Sequence, residues 1–320
     1  MKRSRSNSTA ASHSPPRLRL GLCCQFAREP IKFRTTTATA MLRLPRPERL
    51  ARLSELGLTN ADALFASLHY CAAQGIGAFR INSQILPIKT HPQAGYDITE
   101  LPRGNEIVAR FRECGAFARE HGLRLSFHPD QFVVLNSPNK DTVARSLDEL
   151  NYQAQVAEWV GADTINLHGG GAYGDKPSAL QALRRTIERL PELVRSRLTL
   201  ENDDKTYSPA DLLPVCADTG VPLVYDVQHH RCLPDGLTIE DATERAGATW
   251  NREPLFHISS PIEGWCGPKP ARHHDYIDPR DFPNAWKNRT LTVEVEAKAK
   301  ELAVLKLLTD LKQLGLTEFP

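Results

Sequence analysis

Seven residues of this chain carry side chains suited to holding divalent metal ions, and most of them end a short apolar run. They are His128, His168, Glu201, Asp226, His229, His257 and Glu296. Imidazole and carboxylate together form the ligand set of zinc, manganese and iron(II). One tetrahedral ion takes four ligands, so this many donors point to two or three ions bridged by Glu or Asp. The spacing Asp226-x-x-His229 lets both residues face one ion from a strand end and the turn after it. His273 and His274 fall in a later loop, where one of them would complete a site; His69, His91 and His121 read as structural. Clustered divalent ions suit phosphate-ester hydrolysis, because they bind phosphate oxygens, acidify a water and stabilise the leaving oxygen. Phosphoryl chemistry needs positioning and charge neutralisation more than a covalent nucleophile.

Such residues need a scaffold that brings six strand ends to one rim. The apolar runs predict strands over Leu18–Cys24, Ala78–Ile81, Leu123–His128, Asp163–His168, Arg197–Glu201, Pro222–Asp226, Leu255–Ser259 and Thr290–Val295. Between them, helical periodicity covers Ala61–Gln74, Arg103–His121, Asp141–Val160, Ser178–Leu190, Ser208–Asp218 and Ile239–Ala246, and a closing helix covers Ala297–Leu314. A long loop is expected from Gln25 to Arg46, and a loop-rich segment from Pro261 to Asn288. Eight strands, each followed by a crossover, predict an α/β fold, a (β/α)8 TIM barrel, whose sites lie at the C-terminal ends of the strands. A doubly wound open sheet would carry a glycine-rich turn after strand one, and Gly21-Leu22-Cys23-Cys24 is not one.

The 320 residues, 41% of them apolar, suit a single barrel domain over 17–316. Residues 1–16 are basic and Ser-rich with no acidic residue, which predicts a disordered extension rather than a secretory signal. Seven cysteines without a CxxC pair predict a reducing, cytoplasmic setting, and no apolar run is long enough to span a membrane. A formal net charge of +2 does not announce a nucleic-acid binder, although metal-binding carboxylates lower that figure until their cations arrive. The loops after strands two to seven nonetheless hold Arg80, Lys89, Lys140, Lys176, Lys205, Arg231, Lys269 and Arg272, a pattern that would grip phosphates. Just past His128, Gln131 and Phe132 place an amide and an aromatic where they would wedge into a base stack.

The chain resembles the ultraviolet-damage endonucleases, relatives in fold of the endonuclease IV type of abasic-site nuclease. The resemblance runs from about Arg19 to Leu314 and rests on several motifs in order. These are Ser126-Phe127-His128-Pro129-Asp130-Gln131-Phe132, Asn166-Leu167-His168-Gly169-Gly170-Gly171-Ala172-Tyr173-Gly174 and Leu200-Glu201-Asn202-Asp203-Asp204-Lys205. Further on come Tyr225-Asp226-Val227-Gln228-His229-His230, His257-Ile258-Ser259-Ser260-Pro261, His273-His274-Asp275-Tyr276 and Glu296-Ala297-Lys298.

The resemblance implies up to three manganese-like ions, with zinc or magnesium as alternatives. Their ligands would be His128, His168, Glu201, Asp226, His229, His257, His273 and Glu296, and His128, His168 and Glu201 would be catalytic. Gln131 and Phe132 match the family pair that probes the duplex, while Arg80 and Lys205 would also contact DNA. The implied partner is damaged double-stranded DNA, bound by a monomer with no organic cofactor. The implied reaction is multi-metal hydrolysis of the phosphodiester immediately 5′ of pyrimidine dimers, 6–4 photoproducts and abasic sites.

Two positions depart from the family. Leu255 stands where relatives often carry a Lys, two residues before the strand-seven His. After strand one, where relatives present an aromatic and an Asn, this chain has Leu22-Cys23-Cys24-Gln25-Phe26, with Gln25 in place of the Asn. A two-metal sugar isomerase on the same barrel is a competing expectation, with a small closed pocket and no use for Gln131 and Phe132. A lesion-binding protein with impaired catalysis is another.

Overall fold

The computed structural model of the chain describes residues 17–316; the extension expected at residues 1–16 lies outside the described residues. Eight strands form the barrel: β1 Leu18–Cys23, β2 Ala78–Ile81, β3 Arg124–Phe127, β4 Thr164–His168, β5 Leu198–Glu201, β6 Leu223–Val224, β7 Leu255–Ile258 and β8 Leu291–Val295. They lie in the order β6-β5-β4-β3-β2-β1-β8-β7, and neighbours pair in parallel. The ring closes between β6 and β7 through a parallel bridge from Asp226 to His257, where the His257 N–H donates to the Tyr225 carbonyl at 3.0 Å. The expected (β/α)8 barrel is the observed fold.

Strand alternation separates two environments. Leu20, Leu22, Phe79, Phe127, Ile165, Leu200, Phe256 and Val293 are buried in the main apolar core, the layer between strands and helices. Their strand neighbours Arg80, Ser126, Asn166, Thr199, Glu201, His257 and Glu294 make their polar contacts across the barrel interior. Burying a Leu or Phe is worth about 1.5–3 kcal/mol each, so the outer layer carries most of the stability. It thereby supports an interior built largely of polar groups.

The helices are α1 Ala38–Leu42, α2 Arg46–Gln74, α3 Gly104–Glu120, α4 Lys140–Val160, α5 Lys176–Glu188, α6 Glu192–Arg195, α7 Pro209–Thr219, α8 Val227–Cys232, α9 Ile239–Ala248 and α10 Glu301–Gln313. The second of these begins fifteen residues before the expected Ala61 and carries Gly57 and Asn60 within it. A side chain at Gly57 would stand 3.0 Å from Ile107 of α3, so the glycine permits close helix packing. Asn60 is buried and bonds the Arg34 N–H and the Ile85 carbonyl, which ties the β1 and β2 loops together. The closing helix starts at Glu301 instead of Ala297, and the Glu301 carboxylate accepts the backbone N–H groups of Ala27 and Arg28, both at 2.7 Å. Strand β6 is shorter than expected because Asp226 leaves it to cap α8, accepting the His229 N–H at 2.8 Å. Among the described residues no helix is long and apolar enough to cross a membrane.

Candidate active site at the barrel rim

Glu201 ends β5 fully buried, and its two oxygens face opposite halves of the site. One lies 3.0 Å from His128 Nε2 and 3.9 Å from His168 Nε2; the other lies 3.1 Å from His257 Nδ1 and 3.5 Å from His229 Nδ1. Asn166, on the inner face of β4, donates its amide to the carboxylate, and Thr199 holds that amide from behind with a 3.0 Å bond to its oxygen. Burial alone would raise the Glu201 pKa, but His257 and His168 outweigh it and hold the carboxyl well below its usual range.

On the next strand the Asp226 backbone is locked by Asn202, whose side chain bonds the Asp226 N–H at 3.0 Å and its carbonyl at 2.9 Å. With Oδ1 spent on capping α8, Oδ2 is buried and has no hydrogen-bond partner. Burial raises the Asp226 pKa. His229 lies 3.7 Å from Oδ2, and its ring Nδ1 bonds the Asn202 carbonyl at 2.9 Å. Burial disfavours its charged form, yet Asp226, Glu201 and Glu296 prevail and push His229 up to about 9.

The other half of the site lies across the barrel. His257 is fully buried, with Nδ1 3.5 Å from Glu296 and Nε2 3.1 Å from Glu294. Its burial is outweighed by the carboxylates, which raise its pKa well above the usual histidine range. Glu296 pairs with Arg80 and is held below its usual range, where burial is overcome by Arg80 and then His257. Glu294 touches Ser126, His257 and Arg80, the last at 3.4 Å. The sequence reading overlooked Glu294, Asn166 and Asn202 as functional. For Glu294 the signal was available, because residues two apart in a strand share a face and Glu296 was already assigned to the rim.

These donors fit metal ions on three observations. First, three groups each bring their donor atoms within 4.8 Å of one another: His128, His168 and Glu201; His128, His257 and Glu296; Glu201, Asp226 and His229. Secondly, Asp226 Oδ2 is a buried carboxylate oxygen without a partner, a costly arrangement unless a cation or water completes it. Thirdly, His128 Nδ1 faces the Pro129 carbonyl at 3.1 Å, which assigns its proton there and leaves Nε2 as a lone pair toward Glu201. Two acceptors at that separation require a second proton or a cation between them. Neighbouring ligands of an octahedral ion with bonds of about 2.1 Å stand about 3 Å apart. His273 Nδ1 approaches Glu296 at 3.9 Å but joins none of the three groups. His274 is turned into its own loop, accepting the Tyr276 N–H at 3.0 Å.

The expected DNA contacts are placed unequally. Gln131 and Phe132 stand out from the β3 loop, and Phe132 is 79% exposed. Lys205 is 81% exposed, with Asp204 3.6 Å away. Arg80 differs from the expectation: its guanidinium lies inside the barrel between Glu294 and Glu296, not toward a phosphate on the rim. The strand parity that makes it an interior residue accounts for the difference. Lys176 and Arg231 are engaged by Asp211 and Asp281, at 2.9 and 3.3 Å, whereas Lys140, Lys269 and Arg272 are exposed. After β1, Phe26 packs on Tyr70 and Phe79, with ring centroids 5.2 and 6.3 Å away, and so serves the core. Leu255 is buried with Val224 and Trp250, two residues before His257 on the same face of β7.

A closed parallel barrel with buried imidazoles and carboxylates clustered at the C-terminal rim defines a (β/α)8 protein able to hold metal ions. The barrel of endonuclease IV from Thermus thermophilus shares the fold, with a TM-score of 0.54 and 20% identity over 78% of this chain and 93% of that one. So does a D-psicose 3-epimerase, with a TM-score of 0.51 and 14% identity over 76% and 83% of the two chains. The likeness that reaches beyond fold is narrower. Residues 18–318 match the UV-endonuclease UvdE family, and the chain belongs to it. A UV DNA damage endonuclease of Bacillus velezensis is 33% identical over 304 residues, covering 91% of this chain and 92% of the relative. The crystal structure of SacUVDE superposes with a TM-score of 0.84 and 27% identity, covering 94% of this chain and all of that one.

Proposed function

We propose that this chain is a DNA-repair endonuclease that hydrolyses the phosphodiester immediately 5′ of ultraviolet lesions in duplex DNA and leaves a 3′-hydroxyl. Cyclobutane pyrimidine dimers and 6–4 photoproducts are its substrates, with abasic sites as a third. The observation that carries the reading is Glu201, which joins two of the three donor groups and faces His128 with one oxygen and His229 with the other, in a chain of the UV-endonuclease family. The residues in the three groups would hold two or three divalent ions, manganese foremost and zinc or magnesium next, and His273 would complete the set beside Glu296. Bound there, such ions supply Lewis acidity toward the phosphodiester and lower the pKa of a water.

The protein's own part is orientation. Asn166 and Thr199 fix the plane of the Glu201 carboxylate, Asn202 fixes the Asp226 backbone, and Arg80 with Glu294 fixes Glu296 and His257. The exposed cations Lys140, Lys205, Lys269 and Arg272 are set to draw in the DNA backbone. Gln131 and Phe132 test the stack, since a poorly stacked lesion costs less to open than intact duplex.

A duplex with one pyrimidine dimer, labelled at its 5′ end, tests both the cut and the probe. The expected product ends at the phosphodiester 5′ of the dimer, and a polymerase extends it. Cleavage on the 3′ side refutes the assignment. In Phe132→Ala the preference for damaged over intact duplex falls about tenfold, the scale of one lost base–aromatic stack, while metal content is unchanged. Unaltered preference removes the probing role of Phe132.

A further inference from the structure

We infer that Tyr173 is a second base-stacking residue of the DNA interface, one that receives an unstacked nucleobase beside the step opened at Phe132. This inference rests on the reading of the chain as an endonuclease for damaged duplex DNA.

Phe132, Tyr173 and Trp265 are the large aromatics that the described residues leave exposed, and all three stand in loops at the C-terminal ends of strands. Trp265 is committed within the protein: its ring N–H donates to Asp281 at 2.8 Å, and the Arg231 guanidinium covers it at 5.1 Å. Phe132 and Tyr173 have no ring partner among the described residues. Their positions are equivalent. Phe132 follows His128 by four residues and Tyr173 follows His168 by five, on neighbouring strands whose histidine rings are 5.0 Å apart.

The β4 loop is built to hold this ring where it is. Tyr173 has φ +50°, a left-handed backbone that bulky residues rarely adopt. The end of its ring lies over Gly171, occupying the space a side chain would need: a Cβ there would meet the ring at 2.9 Å. The Gly171 carbonyl is held by Asn136 Nδ2 and the Tyr207 hydroxyl, both at 2.9 Å. Asn136 belongs to the loop that carries Phe132, so one buried amide sets the two aromatics relative to each other. Tyr173 is nevertheless 50% exposed. A residue held in a left-handed backbone near the His168 donor group, braced on Gly171 and half-exposed, is a platform for a planar partner. Nucleobases supply that partner, and aromatic stacking is tolerant of base identity.

The test is binding of a single-dimer duplex and of its intact counterpart in the presence of chelator, followed by nicking with manganese. Tyr173→Phe, Tyr173→Leu and Tyr173→Ala are compared with the wild type. Tyr173→Phe should bind the dimer duplex as the wild type does, because stacking needs the ring and not the hydroxyl. Tyr173→Leu and Tyr173→Ala should bind it about tenfold more weakly, with metal content unchanged. In nicking with manganese, the loss in these two variants should appear mainly as a KM for the dimer duplex raised by about tenfold. Leucine retains apolar bulk, so a loss common to leucine and alanine but absent from phenylalanine isolates the ring. Wild-type affinity in Tyr173→Ala, or a loss in Tyr173→Phe equal to that in alanine, overturns the inference. Failure of the wild type itself to nick the dimer duplex refutes the endonuclease reading instead, so the two failures are distinguishable.

Discussion

Glu201→Gln abolishes cleavage and leaves the barrel folded. Two of the three donor groups contain Glu201, and the shared carboxylate connects them. Glutamine keeps the shape and one carbonyl oxygen, so Asn166 and His128 retain neighbours, but the charge that would bind cations is gone. Metal Lewis acidity is worth several kcal/mol in the transition state, and each 1.36 kcal/mol is tenfold in rate, so turnover should fall by about a thousandfold or more. Metal content, read by mass spectrometry, falls with it, while circular dichroism stays that of the wild type. A Glu201→Gln protein with full activity would remove Glu201 from the centre of the mechanism.

Leu255→Lys has the second large effect, and it falls on stability. Leu255 pairs in register with Thr292, which lies 3.2 Å from the Arg124 guanidinium, and Arg124 also covers the Trp250 ring at 5.4 Å. A lysine therefore replaces an apolar contact and brings an ammonium toward a cation already in place. An unpaired buried charge of this kind costs on the order of 3 kcal/mol. The sign with pH follows. The buried lysine has a folded pKa below its unfolded value of about 10.4. Its penalty is therefore full at neutral pH or below and shrinks as pH rises toward that unfolded value. Melting temperatures of Leu255→Lys and wild type should differ most at neutral pH and converge near pH 10. Unchanged melting together with faster cleavage would instead place residue 255 at the metals.

Much of this architecture was legible because a barrel puts its chemistry at strand ends. His128, His168, Glu201, Asp226 and Glu296 each close or directly follow an apolar run, and the runs themselves predicted the eight strands. Less legible was whatever depended on the barrel's interior. Arg80 reads as a rim cation in one dimension, but it shares the inner face of its strand with Ala78, two residues before it, and so points inward to Glu294 and Glu296. Asn166 and Asn202 lie inside motifs without announcing that they orient a carboxylate and a backbone. The start of α2 was hidden because Gly57 and Asn60 serve contacts with Ile107 and with two loops, contacts that no local pattern records. Nothing in the sequence separates His273 from His274 by position: the Tyr276 turn, which turns His274 into its own loop while His273 stands 3.9 Å from Glu296, is a tertiary feature.

The central claim is that the donors around Glu201 make a metal-dependent nick in ultraviolet-damaged DNA. The most direct measurement is relaxation of supercoiled plasmid, irradiated or not, by the purified wild-type protein with manganese and with chelator. Nicking of irradiated plasmid alone, present with manganese and abolished by chelator, is the predicted result. Bound metal in the protein with no nicking of irradiated plasmid, or nicking that persists in chelator, would contradict it.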